Sequence, residues 1–112
     1  MNNSNFKYAR LLDQKTGKNF KVIEAEAGQE VDLSSIFNSY PDEVFKTCVE
    51  NIEIAISEKI DVIPIMVLKD IDFLIEIEKS DFEDCLDNAI NHFISYENYE
   101  MCSIITGIKK SL

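Results

Sequence analysis

The chain has 112 residues, of which 46% are hydrophobic and 29% are charged, so it can form one compact domain with a substantial core and is not disordered as a whole. Its net charge of −10 excludes nonspecific binding to nucleic acid or to anionic membranes, unless a local basic patch overrides the field. Basic proteins and basic grooves are the expected electrostatic partners.

The N-terminal residues predict a β-hairpin. Residues 6–12 and 20–26 are rich in apolar and aromatic residues typical of strands. Residues 13–18 form a turn cluster in which Gly17 is available for positive φ. The same turn ends in Thr-Gly-Lys, as a phosphate-binding P-loop does, but the upstream glycine is missing and Asn19 replaces the hydroxyl that would hold magnesium. A hairpin turn is therefore the better interpretation.

The second strand of this hairpin is apolar on both faces. Phe20 and Val22 share one face, whereas Ile23 and Ala25 lie on the other. We expect either a strand that is covered on both sides or a bulge near Val22. Further along the chain, Asp32 is a candidate N-cap for a short helical turn.

A helix is predicted from about Pro41 to Glu58. The start combines a polar cap candidate, an early proline and acids in the first turn. Apolar residues recur at helical spacing and predict a buried face. Its members are Val44, Phe45, Cys48, Ile52, Ala55 and Ile56.

A second hairpin follows, with strands at residues 63–68 and 71–78 and its turn at Lys69-Asp70. Pro64 has no N–H to donate to a neighbouring strand. Its strand is therefore expected to lie at an edge of the sheet or to begin there.

Two helices close the chain. Ser80 and Glu83 match a capping box that opens a helix to about Tyr96, and a last helix begins after a break at residues 97–98. The short link predicts that the two helices pack as an antiparallel pair. The whole pattern predicts a single small acidic α+β domain over residues 1–112: two antiparallel β-hairpins with a central helix and a C-terminal helical pair packed on the sheet.

Residues that commonly perform chemistry are few and isolated. His92 is the only histidine, and no carboxylate lies four residues from it on its predicted helix. A metal site would need further ligands, and a hydrolase would need a marked nucleophile. Cys48, Cys85 and Cys102 have no CxxC spacing and lie in apolar patterns, which predicts buried free thiols in a reducing compartment. The sequence predicts a protein that is not an enzyme and needs no cofactor or metal.

The acidic residues also fail to match a calcium loop, because neither Asp70-x-Asp72 nor Asp81-x-Glu83-Asp84 has the central glycine and final glutamate of an EF-hand. The first residues lack the apolar core of a secretory signal, and no apolar run approaches the ~20 residues of a membrane span. We therefore expect a cytoplasmic protein without membrane contact.

Acidic residues are concentrated in one segment. Residues 70–100 contain ten acids and a single base, Lys79, and so account for nine of the ten net negative charges. A solvated outer surface and a partner-binding surface both explain such a run. The candidate partner-binding residues are Asp70, Asp72, Glu76, Glu78, Asp81, Asp84 and Asp87.

The leading hypothesis is a small acidic binding protein, of the kind that phages and mobile elements encode. It would inhibit or regulate a basic or nucleic-acid-handling protein by placing carboxylates in a groove built for phosphates. The alternative is a homo-oligomeric structural or adaptor module, in which Tyr96, Tyr99 and Met101 form an apolar contact. A third possibility, an enzyme with acid-only chemistry, requires paired carboxylates in a cleft.

The N-terminal hairpin has the opposite charge bias. Five bases are interleaved there with aromatic residues, which is a minor argument for contact with RNA. No direct contact with nucleic acid is expected from so acidic a protein. The five bases are Lys7, Arg10, Lys15, Lys18 and Lys21.

Overall fold

One four-stranded sheet and three α-helices make up the described part of the chain. The computed structural model describes residues 7–25, 41–69 and 73–112. The α+β class predicted from the sequence is confirmed, while the helical turn predicted at Asp32 lies outside the described residues. In chain order the elements are β1 (Lys7–Leu12), β2 (Asn19–Ala25), α1 (Pro41–Glu58), β3 (Val62–Leu68), β4 (Phe73–Glu78), a 3₁₀ turn (Lys79–Asp81), α2 (Phe82–Ser95) and α3 (Tyr99–Lys109).

Both predicted hairpins are present, and they join into a single mixed sheet. The strand order is β1-β2-β3-β4, with β1 antiparallel to β2 and β4 antiparallel to β3. The two central strands, β2 and β3, are parallel. Parallel neighbours need a crossover connection, and α1 lies on the chain between them. Among the described strands, β1 and β4 each have one neighbour and so form the two edges of the sheet.

The central strand β2 is buried on both faces. Its pairing with β1 runs without a register shift, so the expectation of a bulge near Val22 is wrong. Phe20 and Val22 are buried on one face, and Ile23 is buried on the other. The other expectation, a strand covered on both sides, is confirmed.

The prediction that Pro64 marks an edge strand or the start of a strand is wrong. β3 begins at Val62 and lies between β2 and β4. A bulge at Ile65 shifts the register with β4, and pairing with β2 begins only at Met66. Pro64 therefore lies in an interior strand at a point where no ladder hydrogen bond to β2 is required of it.

The side chain of Asn51 on α1 donates hydrogen bonds to both central strands beside Pro64. Its side-chain nitrogen donates to the backbone carbonyl of Lys21 on β2 at 2.9 Å and to that of Pro64 on β3 at 2.8 Å. The side chain is 1% exposed. One buried amide group thus satisfies two carbonyl oxygens where the proline removes a backbone donor.

The central helix α1 has the predicted bounds and supplies the middle of the core. It packs on β2 and β3. Of the six predicted core residues, four are buried, while Phe45 and Ile56 are partly buried and pack against the core. The buried residues of α1 are Val44, Thr47, Cys48, Val49, Asn51, Ile52 and Ala55.

The two C-terminal helices add a further layer beside α1. α2 packs against α1, and α3 packs against α2. The side chain of Asn98 accepts a hydrogen bond from the backbone N–H of Met101 at 3.3 Å and so caps the start of α3. The buried residues of α2 and α3 are Phe82, Leu86, Ala89, Phe93, Ile105 and Ile108.

The start of α2 differs from the prediction. Ser80 lies in the 3₁₀ turn, the N-cap position is occupied by Asp81, and no side chain there accepts a capping hydrogen bond. The predicted capping box of Ser80 and Glu83 is therefore wrong. The backbone N–H of Lys79 donates to the carbonyl of Asp61, the residue before β3, at 2.7 Å. This bond holds the 3₁₀ turn against the start of β3, and α2 begins only after the turn.

Candidate functional site

Four of the candidate carboxylates follow one another along the chain, from the edge strand β4 into the first turn of α2. Glu76 and Glu78 lie on β4, Asp81 ends the 3₁₀ turn, and Asp84 lies in the first turn of α2. All four are exposed. None of them forms an ion pair with any residue of the described ranges. These four residues are called the acidic edge below.

The acidic edge has two local structural causes. On β4, Glu76 and Glu78 alternate with Ile75 and Ile77, which pack against the core, so the carboxylates lie on the face away from it. On α2, Asp84 belongs to the first turn, where a negative charge interacts favourably with the helix dipole. The positions of these acids are thus compatible with the fold without any partner.

Asp87 does not belong to this free surface. Its Oδ1 lies 2.6 Å from Nζ of Lys109 on α3, and Oε2 of Glu83 lies 3.9 Å from the same nitrogen. The hydrogen bond with Asp87 is the main cause that raises the pKa of Lys109. Asp87 is therefore already paired within the molecule. The remaining candidates, Asp70 and Asp72, lie outside the described residues.

The pairing of Asp87 could have been found from the sequence. When two helices are joined by a short link, the first turns of one lie beside the last turn of the other. The helix dipole favours acids in the first turns and bases in the last turn. Asp87 follows the start of α2, and Lys109 is in the last turn of α3. Opposite charges at those two positions predict the observed ion pair.

His92 has a partner that the sequence analysis missed. Its Nε2 lies 2.5 Å from Oδ1 of Asp42, in the first turn of α1 and fifty residues away in the chain. The ring also stacks on Phe45, with centroids 5.1 Å apart. The hydroxyl of Ser95 donates to the backbone carbonyl of His92 and not to the ring. This arrangement holds the end of α2 against the start of α1, and within the described ranges no hydroxyl or thiol forms a hydrogen bond with the imidazole.

Cys48 of α1 and Cys85 of α2 shift each other's pKa across the interface of the two helices. Cys48 is buried, and Cys85 is partly exposed. A hydrogen bond with Cys48 lowers the pKa of Cys85, opposed by burial and by the charge of Asp81. The same hydrogen bond, with burial, raises the pKa of Cys48 well above its usual range. The sequence offered no cationic neighbour for Cys85, and the lowered pKa has a different cause, a thiol from another helix.

The basic hairpin keeps much of its charge exposed. Lys7 and Arg10 are exposed on β1, and Nζ of Lys21 on β2 lies 3.9 Å from the ring centroid of Tyr8. Burial, followed by the charge of Glu43, raises the pKa of Tyr8. The structure therefore places Tyr8 beside α1 and leaves Lys7 and Arg10 on the outer strand, while Nζ of Lys18 lies 3.7 Å from Oε2 of Glu58.

The apolar surface proposed for the C-terminal helices is only partly present. Tyr96 is 69% exposed and Tyr99 is 63% exposed, but Met101 is partly buried and packs against the core. A groove between α1 and α3 lies nearby, with Ile56 on one side and Ile104 and Gly107 on the other.

Comparisons with models of protein families, with curated proteins and with solved structures find no match for this chain. In the described ranges, no helix combines the length and the apolar character that crossing a membrane requires. Nor do any three His, Cys, Asp or Glu side chains of those ranges come together in a group that could hold a metal ion. Surface charge and the exposure of side chains are therefore the features from which we infer a function.

Proposed function

We propose that this chain is a small binding protein that engages a basic protein partner through its acidic edge, and that it inhibits or regulates that partner. The observation that supports this most is the unpaired state of Glu76, Glu78, Asp81 and Asp84 with respect to the described residues. A partner's lysines and arginines can contact these carboxylates without first breaking an ion pair within the molecule. Asp87 is left out of the contact because Lys109 already neutralises it.

A partner that handles nucleic acid fits this surface best. Such proteins carry lysine and arginine clusters that bind phosphates. Carboxylates present negative charge and hydrogen-bond acceptors to the same groups, so the acidic edge would compete with nucleic acid for the basic groove. The overall charge of −10 would speed the encounter with such a groove and would disfavour direct contact with nucleic acid. Inhibition by occupation of that groove is the mechanism we propose.

Charge reversal tests the proposal. The variant Glu76→Lys/Glu78→Lys/Asp84→Lys and the wild-type chain would be immobilised and offered an extract of cells that encode the protein. Proteins retained by the wild type would be identified, purified and titrated against both chains over a salt series. Exposed ion pairs contribute about 0.2–1 kcal/mol each, so the loss of three at about 0.5 kcal/mol each should weaken binding about tenfold.

A matched control separates the acidic edge from net charge. Glu50, Glu53 and Glu100 are exposed acids elsewhere on the surface. Their reversal to lysine changes the net charge equally and should leave the affinity near that of the wild type. Equal loss in both variants, or affinity that persists near 1 M salt, where the screening length falls to about 3 Å, would contradict the mechanism. Displacement of nucleic acid from the captured partner checks the inhibitory step.

The second candidate function is a homo-oligomeric structural or adaptor module. The high exposure of Tyr96 and Tyr99 favours it, because large apolar side chains grouped at a surface commonly mark an interface. The variant Tyr96→Ser/Tyr99→Ser should then abolish an association that resists high salt. Sedimentation at low and high salt distinguishes this function from the charge-led one.

A further inference from the structure

The two edges of the sheet carry opposite charge. β1 bears Lys7 and Arg10, and β4 bears Glu76 and Glu78. The chain segments that contain these strands have the same difference in charge. Residues 7–25 contain five bases and two acids, whereas residues 73–100 contain eight acids and one base. The strand order places the basic hairpin at one end of the sheet and the acidic strand at the other.

The basic edge contains a pairing of like charges. Arg10 and Lys21 lie directly opposite each other in the register of β1 and β2. Like charges in this position destabilise an antiparallel pair. Neither residue forms an ion pair within the described ranges. Lys7 lies opposite Glu24, but that carboxylate is 3.8 Å from Nζ of Lys69 on the other side. Positive charge on β1 is therefore poorly compensated by the residues that the structure describes.

The two edge strands also fit each other as neighbours. Both have six residues, and the pairing directions make β1 and β4 point the same way. The cross-strand pairs run from Lys7 through Glu24 and Val67 to Leu74, so these residues share one face of the sheet. Glu76 lies on the same face by alternation. With Lys7 of one copy beside Leu74 of the next, five residues of each strand lie side by side and the helices of both copies are on one side. Lys7 is then the diagonal neighbour of Glu76, a distance that long side chains can span.

We propose that copies of this chain associate head to tail, with β4 of one copy pairing with β1 of the next. Backbone hydrogen bonds would extend the sheet, and the opposite charges would select the partner strand. Symmetric pairing of β1 with β1, or of β4 with β4, brings like charges together and is disfavoured. A head-to-tail contact leaves one free edge at each end, so it continues into a row or a closed ring of copies.

The association should be weak and should depend on concentration. A six-residue edge buries much less surface than the ~1,200–2,000 Å² of a stable interface. Each copy also carries a net charge of −10, which opposes assembly at very low salt. Near physiological ionic strength the screening length is about 8 Å, which suppresses this overall repulsion and preserves contacts between adjacent strands. We therefore expect a maximum of association at intermediate salt.

Two complementary variants test the proposal by sedimentation velocity. Lys7→Glu/Arg10→Glu makes both edges acidic, and Glu76→Lys/Glu78→Lys makes both edges basic. Each variant alone should associate at least about tenfold more weakly than the wild type, because attraction at the edge is replaced by repulsion. An equimolar mixture restores opposite charges at every contact and should associate about as strongly as the wild type. Misfolded variants could not produce this recovery.

Several results would overturn the proposal. The first is a wild-type chain that is monomeric at the highest attainable concentration. The second is association of the charge variants as strong as that of the wild type. The third is an equimolar mixture that associates no more strongly than either variant alone. Association lost in Tyr96→Ser/Tyr99→Ser but kept in both charge variants would place the contact on the helices. A monomeric wild type that binds a single-stranded oligonucleotide through Lys7 and Arg10 would assign β1 to nucleic acid. The proposal is independent of the proposed function, because Lys7→Glu/Arg10→Glu leaves the acidic edge intact for a partner.

Discussion

Replacement of Asn51 by leucine should reduce the free energy of unfolding by roughly 1–4 kcal/mol. Leucine has a similar size, so the packing is largely kept, but both hydrogen bonds to Lys21 and Pro64 are lost. A buried acceptor left without a donor costs about 1–3 kcal/mol, so two such carbonyls cost about 2–6 kcal/mol. Oδ1 of Asn51 is buried without a partner in the described part of the chain, and its removal offsets about 1–2 kcal/mol of that loss.

Urea unfolding followed by far-UV circular dichroism measures this change as a lower midpoint at an unchanged slope. The melting temperature should fall by roughly 4 °C per kcal/mol for a domain of this size. Asn91→Leu is the matched control, because Asn91 is exposed on α2 and its replacement should change stability by no more than about 0.5 kcal/mol. If Asn51→Leu is as stable as this control, the amide does not join the central strands and the account of Pro64 is refuted.

Three further predictions follow from single contacts. Asp42→Ala should lower stability by about 1 kcal/mol in thermal unfolding, since it removes the hydrogen bond to His92, and an unchanged melting temperature would show that the contact contributes nothing. Alkylation followed by mass spectrometry should label Cys85 before Cys48, because the thiolate is the reactive form. The rate at Cys85 should be half-maximal at a pH below that of a free cysteine, and Cys48→Ala should move that pH upward. Equal rates at both thiols would show that the hydrogen bond between them does not lower the pKa of Cys85. Gly17→Ala should lower the free energy of unfolding by about 1 kcal/mol through backbone strain alone, because φ is +74° and nothing lies within 4 Å of an added Cβ. An unchanged midpoint in urea unfolding would exclude that strain.

Local patterns in the sequence predict the elements of the fold well. The period of apolar residues and the start signal at Pro41 place α1 with the bounds that the structure has. The hairpins were predicted from alternation and from the turn at residues 13–18, where Oδ2 of Asp13 accepts hydrogen bonds from the backbone and the hydroxyl of Thr16. These signals act over a few residues, so one sequence is sufficient to detect them.

Long-range contacts explain what the sequence could not predict. The missing N–H of Pro64, taken alone, predicts an edge strand or the start of a strand, but Asn51 from a different element supplies donors to the central strands. His92 was judged by its neighbours on one helix, whereas its carboxylate partner, Asp42, lies fifty residues away. The acidic run predicted the location of the candidate surface. It could not show that Asp87 is paired while Asp84 is not, because that difference depends on where Lys109 packs.

The order of the strands converts a charge bias along the chain into a charge bias across the sheet. β2 and β3 are the apolar strands, so burial places them in the centre and leaves the charged β1 and β4 outside. Charged edge strands protect many sheets from edge-to-edge pairing. Repulsion between charges contributes to this protection only where the two edges have the same sign. One basic and one acidic edge repel only in symmetric pairings and attract head to tail. A basic partner bound at β4 would occupy the growing edge, so the two proposals together imply that partner binding shortens the row of copies.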